Sequence, residues 1–399
     1  MDASQHTKRI PINQRPKFGA TTSSNEDEAV KVLFEKIHQE DSALTVIFCS
    51  PRYDTKKLGY ALEKTFASES LIGCTSAGEI SPIGYTDGSL AGFSLPADGF
   101  TASSGYIDNL AGFEISRGTR LVSELIADLN AKQPTISSND TFAFLMIDGL
   151  SCSEEPVVSS LYSALGNIPL FGGSAGDNLD FNRTLTYYDG TFRTNSAVLT
   201  LVRTKHPFMV FKTQHFVSSE KKMVVTEADP NTRTVSEING EPAGMEYARL
   251  VGLAEEELTP MIFANFPVLV KIGGTMHVRS IQKVNNNGSL TFFCAIDKGA
   301  ILTVAEGVDI IENLEELIDN IQDEIGVPQL IIGCDCVLRS LELERNQLKY
   351  RVGKILSENN TIGFNTYGEQ FQAMHVNQTF TGVAIGHNHF FSETKAGTT

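Results

Sequence analysis

Two histidines in this chain have polar companions on the same face of a predicted strand. His277 alternates with Arg279, and His375 alternates with Asn377 and Thr379. An imidazole beside a guanidinium would suit an axial ligand to iron next to a group that binds a propionate. A histidine on a strand is more commonly a satisfied structural residue, so the sequence leaves both alternatives open.

A cysteine pair, Cys334 and Cys336, lies on another predicted strand. Strand alternation sends both thiols to one face, where they could bind a metal or respond to oxidation. No second cysteine pair or nearby CxxH motif completes a tetrahedral zinc site. We therefore favour two small core residues, with Asp335 on the opposite face and Arg339 in a structural ion pair.

The sequence does not predict an enzyme. There is no HExxH motif, and no Ser/His/Asp arrangement can be inferred from spacing. Asp148 and the pair Glu154-Glu155 follow a predicted strand and could act as acid or base. The run Ser153-Glu-Glu-Pro156 favours a simpler role, capping the next helix.

Three segments that could position a ligand repeat one pattern: a hydrophobic residue, glycine, a short run with Ser or Thr, glycine and a carboxylate. They are Ile72–Glu79, Phe171–Asp177 and Ile362–Glu369. A predicted strand and helix precede each, which indicates three diverged strand–helix–strand units ending in a glycine turn. Gly78, Gly176 and Gly368 are expected to allow positive φ or close backbone approach. The turn N–H groups could cradle an anion, or the bends could need glycine for structural reasons alone.

The remaining pattern predicts an α/β to α+β fold with two layered domains of such units and β-hairpins. Residues 88–95 and 100–107 are predicted to pair around a turn at 96–99. We divide the chain into a disordered arm at 1–25, domains at 26–220 and 221–390, and a polar tail at 391–399.

Net charge, apolar runs and cysteine count restrict the classes of partner and the cellular location that the sequence predicts. Across 399 residues the formal charge is −16, which disfavours nonspecific binding to nucleic acid or anionic lipid. No stretch approaches the ~18 apolar residues of a membrane span, and the polar N-terminus does not resemble a signal peptide. Six cysteines are too few for a disulfide framework, so we predict a cytoplasmic protein.

The repeated motifs together resemble the FIST family, a sensory module with N- and C-terminal halves. The N-terminal signatures match Leu71–Glu79 and Leu170–Asp177. The C-terminal half matches Asn239-Gly-Glu-Pro242, Val278-Arg-Ser280 and Gly363–Glu369. The resemblance covers residues 25–390, so 26–220 and 221–390 are interpreted as the two halves.

This resemblance implies small-ligand binding, with amino acids as one class, and a signal passed to a partner. The chain looks most like the NosP-type subset, which binds haem and senses nitric oxide. The implied cofactor is therefore haem, with His277 and His375 as candidate iron ligands and Arg279 beside them. The implied partners are a histidine kinase or a cyclic-di-GMP enzyme acting in trans, and a homo-oligomer is left open. The alternative is a haem-free sensor of a small anionic metabolite held between the glycine turns and Arg279 or Arg339.

Overall fold

The structure is a computed structural model, and it describes residues 15–67, 69–133 and 139–387. The predicted tail at 391–399 lies outside these residues, as does the predicted arm up to residue 14. The described end of that arm corrects the prediction: strand β1 (Lys17–Thr21) pairs antiparallel with strand β6 (Leu90–Pro96). No helix within the described ranges is both long and apolar enough to cross a membrane.

Three consecutive units repeat one order of elements: strand, helix, strand, helical connection, strand, hairpin and strand. Unit 1 comprises β1, α1 (Glu26–Ile37), β2 (Ser42–Cys49), α2 (Thr55–Thr65), β3 (Leu71–Thr75), β4 (Glu79–Ser81), β5 (Gly84–Thr86) and β6. Unit 2 comprises β7 (Phe100–Ile107), α3 (Ile115–Lys132), β8 (Thr141–Asp148), α4 (Glu154–Leu165), β9 (Leu170–Ala175), β10 (Thr186–Tyr188), β11 (Thr191–Arg193) and β12 (Ala197–Thr204).

Unit 3 follows the same order but carries an insertion after its first strand. It comprises β13 (Phe208–Thr213) and then, beyond the insertion, α7 (Ile310–Ile325), β22 (Leu330–Cys336), α8 (Val337–Arg345), α9 (Lys349–Glu358), β23 (Thr361–Thr366), β24 (Glu369–Phe371), β25 (Met374–Val376) and β26 (Phe380–Ile385). The inserted domain comprises β14 (Phe216–Asp229), β15 (Thr234–Ile238), β16 (Glu241–Pro242), α5 (Ala243–Val251), α6 (Pro260–Asn265), β17 (Val268–Ile272), β18 (Thr275–Arg279), β19 (Ile281–Val284), β20 (Leu290–Phe292) and β21 (Ile301–Gly307). Its strands form one eight-stranded sheet.

The three units build three six-stranded sheets with one strand order. These orders are β1-β6-β2-β3-β10-β11, β7-β12-β8-β9-β24-β25 and β13-β26-β22-β23-β4-β5. The pairs β2–β3, β8–β9 and β22–β23 are parallel, as a strand–helix–strand passage requires. The edge hairpin of each sheet comes from a different unit, so the hairpins are exchanged cyclically around a pseudo-threefold axis.

The inner faces of the three sheets share one apolar core, and the helices cover the outer faces. Phe48 of unit 1 stacks on Phe364 of unit 3 with ring centroids 4.6 Å apart, and Phe144 stacks on Phe171 within unit 2 at 4.8 Å. Because both faces of the central strands are buried, the runs at 45–49 and 142–147 are almost continuously apolar. The predicted α+β fold with repeated units is thus confirmed.

One predicted hairpin is wrong. Strands β6 and β7 lie in different sheets, where β6 pairs with β1 and β2 and β7 pairs with β12. The turn at 96–99 connects two sheets instead of closing a hairpin. Both strands end up beside partners far away in sequence, which a local turn signal does not reveal.

Candidate functional site

The glycine turns of the three units meet at the pseudo-threefold axis, and we call residues 75–78, 174–177 and 365–368 the axial ring. Each turn donates a backbone N–H to the strand of another unit: Ala77 to Asn365 O at 2.9 Å, Gly176 to Thr75 O at 3.1 Å, and Tyr367 to Ser174 O at 3.2 Å. These N–H groups are used within the ring and do not cradle an anion. The structural alternative for the turns therefore holds at these three positions.

The second glycine of each turn allows either a positive φ or a close approach of another group, as the sequence predicts. Gly78 has a φ of +123°, which a residue with a side chain rarely adopts. At Gly176 an added Cβ would lie 2.9 Å from Ala77 N. At Gly368 an added Cβ would lie 2.3 Å from Cε1 of His375. The last two glycines thus allow close approach.

Buried carboxylates at the ends of two turns accept hydrogen bonds from the turn and from the residue that precedes the last strand of the unit. Glu79 accepts hydrogen bonds from the Ser76 hydroxyl and from the Ser89 N–H at 3.0 Å and hydroxyl at 2.5 Å. The same contacts surround Glu369, with Thr366 and Thr379 as the donors. Burial raises the pKa of each carboxyl to about 7, although these donors oppose the rise.

In unit 2 the register position of Glu79 and Glu369 is occupied by Thr186, and the buried carboxylate of Asp148 lies instead at the end of β8. The Asp148 carboxylate accepts from the Thr184 hydroxyl and the Asn195 N–H, and from the Leu150 N–H at 3.0 Å. Burial raises the pKa of Asp148. Its three donors hold loops together, so the contacts support a structural role for this predicted acid or base.

A cleft of about 400 Å³ opens beside the axial ring, at the C-terminal ends of β2 and β22. We call it the axial cleft. All three units line it: Ser50, Arg52, Ala77, Asp87 and Gly88 of unit 1, Asn178 and Leu179 of unit 2, and Val337, Ser340, Leu341, Glu344 and Lys349 of unit 3. Ligands in α/β proteins commonly bind at such C-terminal strand ends.

The axial cleft carries both signs of charge. Arg52 and Lys349 contribute cations, and Asp87 and Glu344 contribute carboxylates. Lys349 Nζ lies 3.3 Å from Asp87 Oδ2, and the Arg52 side chain packs on Gly88, where an added Cβ would meet the guanidinium. A larger cleft of about 700 Å³ lies at the opposite, N-terminal ends of β2 and β3.

A second site, which we call the junction cluster, consists of Glu155, Cys294 and His375. One ligand atom from each lies within 4.8 Å of the other two. Glu155 is in the first turn of α4, Cys294 follows β20 of the inserted domain, and His375 is on β25 of the unit 3 hairpin. The cluster thus joins three separate parts of the fold.

Hydrogen bonds fix the orientation of the side chains in the junction cluster. Glu155 Oε1 accepts from the Ala295 N–H at 2.8 Å, and Glu155 Oε2 accepts from Arg233 Nη2 at 2.6 Å. Cys294 Sγ lies 2.7 Å from Asn377 Oδ1. Burial alone would lower the pKa of His375, but Cys294 and two glutamates, Glu155 among them, raise it to about 9.

The structure brings two of the three predicted site residues together. Arg279 Nη1 lies 3.3 Å from the backbone oxygen of His375. His277 is buried on the same strand as Arg279, where burial, Lys212 and Arg279 lower its pKa to about 4. His277 is not a member of the junction cluster.

The side chains as they lie do not fit a haem. His375 is 3% exposed and its ring packs directly on Gly368. His277 is also 3% exposed. None of His277, His375 and Arg279 lines the two clefts described above, nor the two further clefts that the described residues form beside β13 and beside the loop at 284–289. A porphyrin beside either imidazole would need space that this packing does not leave.

The other predicted basic residue, Arg339, is buried in a charged network. Its Nε donates to Asp335 at 2.8 Å, and its Nη1 donates to His215 Nδ1 at 2.8 Å. Because His215 Nδ1 accepts, its Nε2–H faces Glu342 at 2.9 Å, and the imidazole is neutral. The structural ion pair is confirmed, and Arg339 is unavailable to a metabolite. Cys334 and Cys336 are buried in apolar clusters, in line with core roles.

The predicted cap of α4 is wrong. The actual contacts at this helix start belong to the junction cluster and its surroundings. The Ser153 hydroxyl donates to the carbonyls of Leu110 and Ser151 and makes no cap. Glu154 and Glu155 instead bind Arg233 of the inserted domain, each at 2.6 Å. The local sequence of these two acids does not indicate Arg233 as their partner, because it lies 79 residues after Glu154 and 78 residues after Glu155.

Sequence reasoning also missed a GxSxG pattern at Gly172-Gly-Ser-Ala-Gly176. In hydrolases that pattern places an exposed serine between a strand and a helix. Here Ser174 is fully buried in β9, a loop and β10 follow, and its Oγ lies 3.0 Å from Gln370 Nε2. The context that the catalytic motif requires is therefore missing at this serine.

Comparison with known proteins agrees with the motifs. The chain matches the FIST N domain over residues 43–241 and the FIST C domain over residues 243–372. Uncharacterized protein MJ1623 of Methanocaldococcus jannaschii is 25% identical over 361 residues, spanning 79% of this chain and 67% of that protein.

A solved structure of cyanuric acid hydrolase is similar at a TM-score of 0.38 and 7% identity. The alignment covers 93% of this chain and 99% of that chain. FIST domains are sensory domains of signal transduction. With both FIST domains matched in order along most of its length, the chain belongs to the FIST family.

Proposed function

We propose that this FIST protein is a sensor that binds a small metabolite of the amino-acid class in the axial cleft. The observation that carries the proposal is that all three units line this cleft with both signs of charge. Its volume of about 400 Å³ is within the range of small-molecule sites, which begins near ~300 Å³.

The charges suit a zwitterion. Arg52 and Lys349 could pair with an α-carboxylate, and Asp87 and Glu344 could pair with an α-ammonium group. The Lys349–Asp87 ion pair is on the surface, so exchanging it for ligand contacts would cost little. Arg279 and Arg339, the basic residues first expected to hold the metabolite, are already bonded elsewhere.

A ligand in the axial cleft would link α8 and the start of α9 in unit 3 to loops of units 1 and 2. It would favour conformations in which these parts are closed on each other, and this shift is what a partner would read. The partner that the resemblance implies is a histidine kinase or a cyclic-di-GMP enzyme acting in trans. A cytoplasmic location stays a prediction.

A thermal-shift screen of amino acids tests the proposal. A metabolite present at 100 times its dissociation constant should stabilise the protein by about 2.7 kcal/mol, which is several degrees in melting temperature. Arg52→Gln should remove this shift, whereas Lys64→Gln, an exposed cation outside the cleft, should retain it. No shift with any amino acid, or an unchanged shift in Arg52→Gln, would contradict the proposal.

Haem binding and nitric oxide sensing remain a prediction from the resemblance. The close packing around His277 and His375 does not favour them, because it leaves no space for a porphyrin. An absorption spectrum distinguishes the two readings. Protein expressed with added haem should show no Soret band if the metabolite proposal is right. A Soret band that nitric oxide shifts, and that is lost in His375→Gln or His277→Gln, would reinstate the haem sensor.

A further inference from the structure

We propose that Glu155, Cys294 and His375 of the junction cluster form a binding site for a single Zn²⁺ ion. A thiolate, an imidazole and a carboxylate are the ligand types that Zn²⁺ binds in proteins. Three protein ligands and one open position are typical of a zinc site that also binds water or a small molecule.

Distances within the cluster are close to those that zinc requires. The three ligand atoms lie within 4.8 Å of one another. Bonds of ~2.0–2.3 Å in a tetrahedron place ligands roughly 3.3–3.8 Å apart, so a contraction of at most about 1.5 Å closes the site. Small rotamer changes of Glu155, which is part-exposed, can provide much of this movement.

The imidazole of His375 has one ring nitrogen that the described contacts leave unsatisfied. His375 Nδ1 lies 3.2 Å from Gln370 Nε2, whereas Nε2 of the same ring is buried without a hydrogen-bond partner. Beside it, Asn377 Nδ2 and Ser280 Oγ are also buried without partners. A buried polar group without a partner destabilises the fold, and the concentration of three such groups at one place indicates that a ligand completes it.

Gln370 can orient the imidazole for this role. A metal-bound histidine usually donates its second ring N–H to a neighbouring acceptor. A half-turn of the Gln370 amide would place Oε1 near Nδ1, with the Ser174 hydroxyl available to donate to the same oxygen. Gly368 leaves room for the ring, because any Cβ there would overlap it.

The pseudo-threefold arrangement shows that His375 departs from its equivalents. The second strand of each exchanged hairpin places one residue opposite the middle of the first strand: Tyr85 opposite Ile80, Phe192 opposite Tyr187, and His375 opposite Gln370. Two units use an aromatic residue for packing, and unit 3 uses an imidazole. Only there do Cys294 and Glu155 approach from other elements.

The charges of the site balance. A Cys294 thiolate and the Glu155 carboxylate would neutralise Zn²⁺, and Arg233 remains paired with Glu154 at 2.6 Å. Each Glu155 oxygen makes one hydrogen bond and keeps a lone pair for the metal. The ion would tie α4 of unit 2 to the inserted domain and to the unit 3 hairpin.

Metal titration of the full-length chain tests the site. The Cys152→Ser background removes the one exposed thiol, so any thiolate signal comes from buried cysteines. We expect one Zn²⁺ per chain by mass spectrometry of metals, and tetrahedral d–d bands with a thiolate-to-metal charge-transfer band when Co²⁺ replaces it. Cys294→Ser should abolish the charge-transfer band, and His375→Gln and Glu155→Gln should weaken Zn²⁺ binding by at least ~10-fold.

His277→Gln is the matched control, because it removes another buried histidine outside the cluster and should leave metal binding unchanged. Glu155→Gln keeps the helix start and the Ala295 contact, so it reports on the metal even if the buried variants fold poorly. Protein that binds neither Zn²⁺ nor Co²⁺ stoichiometrically, or binding that Cys294→Ser and Glu155→Gln leave intact, would overturn the proposal.

Discussion

At the scale of single residues, two buried glutamates tie the stability of the fold to pH. Glu79 and Glu369 have a pKa of about 7 in the folded chain, compared with an ordinary value of 4.5. The folded state therefore binds more protons than the unfolded state between these values. Stability should fall as pH rises from 4.5 to about 7, by up to about 3 kcal/mol for each glutamate.

Glu79→Gln should remove its share of this pH dependence. A glutamine can accept from Ser89 and donate to Ser76, whose hydroxyl also contacts the carbonyl of Cys49 at 3.1 Å. We expect the variant to match the wild type near pH 5 and to be more stable at pH 8 in urea unfolding. Glu124→Gln, an exposed control, should keep the wild-type slope. An unchanged slope in Glu79→Gln would show that this carboxyl is not the source.

The buried Arg339 network leads to a second prediction. Arg339→Met leaves the Asp335 carboxylate buried with only the Tyr85 hydroxyl at 2.5 Å as a side-chain partner. We expect a loss of about 3–5 kcal/mol in the free energy of unfolding. Adding Asp335→Asn should restore a large part of it, because the unpaired charge is removed. A double variant as unstable as Arg339→Met alone would contradict this electrostatic cause.

Part of the candidate site could be predicted from single residues. His375 and Arg279 were recognisable because strand alternation gave each of them polar companions. Cys294 and Glu155 were not, because they lie 81 residues before His375 and 140 residues before Ala295, respectively. Each is unremarkable in its local sequence, and only the folded chain brings them together.

At the scale of elements, the first glycine of each turn motif is set by the parallel strand beside it. An added Cβ would lie 2.5 Å from Ile47 O at Gly73, 2.1 Å from Leu145 O at Gly172 and 1.9 Å from Gly333 O at Gly363. A backbone carbonyl in a sheet cannot move away without disturbing its ladder. This explains why glycine opens all three copies of the motif.

Gly172→Ala should therefore destabilise the protein, by about 2 kcal/mol or more, because β8 and β9 must separate. Gly59→Ala is the matched control, since its nearest neighbours lie 3.6 Å away and alanine is the better helix former in α2. It should be neutral or stabilising by up to about 1 kcal/mol. Urea unfolding compares the two, and equal effects would contradict the steric explanation.

Element prediction succeeded where the signal was local. The strand and helix predicted before each glycine turn, such as β2 and α2 before β3, follow from patterns within single segments of the chain. Strand partners were harder, because β6 and β7 are adjacent in sequence but belong to different sheets. Hairpin exchange is a property of three units at once, and no single motif encodes it.

At the scale of the whole molecule, exchanged hairpins make the two halves of the chain depend on each other. Hairpin β4–β5 of unit 1 completes the sheet of unit 3, and hairpin β24–β25 of unit 3 completes the sheet of unit 2. The FIST N and FIST C matches divide the chain by sequence, whereas the three sheets share one core.

Fragments 1–206 and 207–399 should consequently be unstable apart and stable together. Separately expressed, each leaves strand edges and core surface exposed, and we expect aggregation or a non-cooperative melt. Co-expressed, they should purify as one complex with a melting temperature close to that of the intact chain. A soluble 1–206 fragment that melts cooperatively as a monomer would contradict the dependence.

The central claim, that the axial cleft is the sensory site, is tested most directly by hydrogen–deuterium exchange with the metabolite that the thermal-shift screen selects. A saturating metabolite should slow amide exchange at residues 50–52, 86–88, 178–179 and 337–344, the segments that line the cleft. Exchange at 275–279 and 374–376, beside His277 and His375, should stay the same. Protection confined to those histidine strands, with none at the axial cleft, would contradict the account.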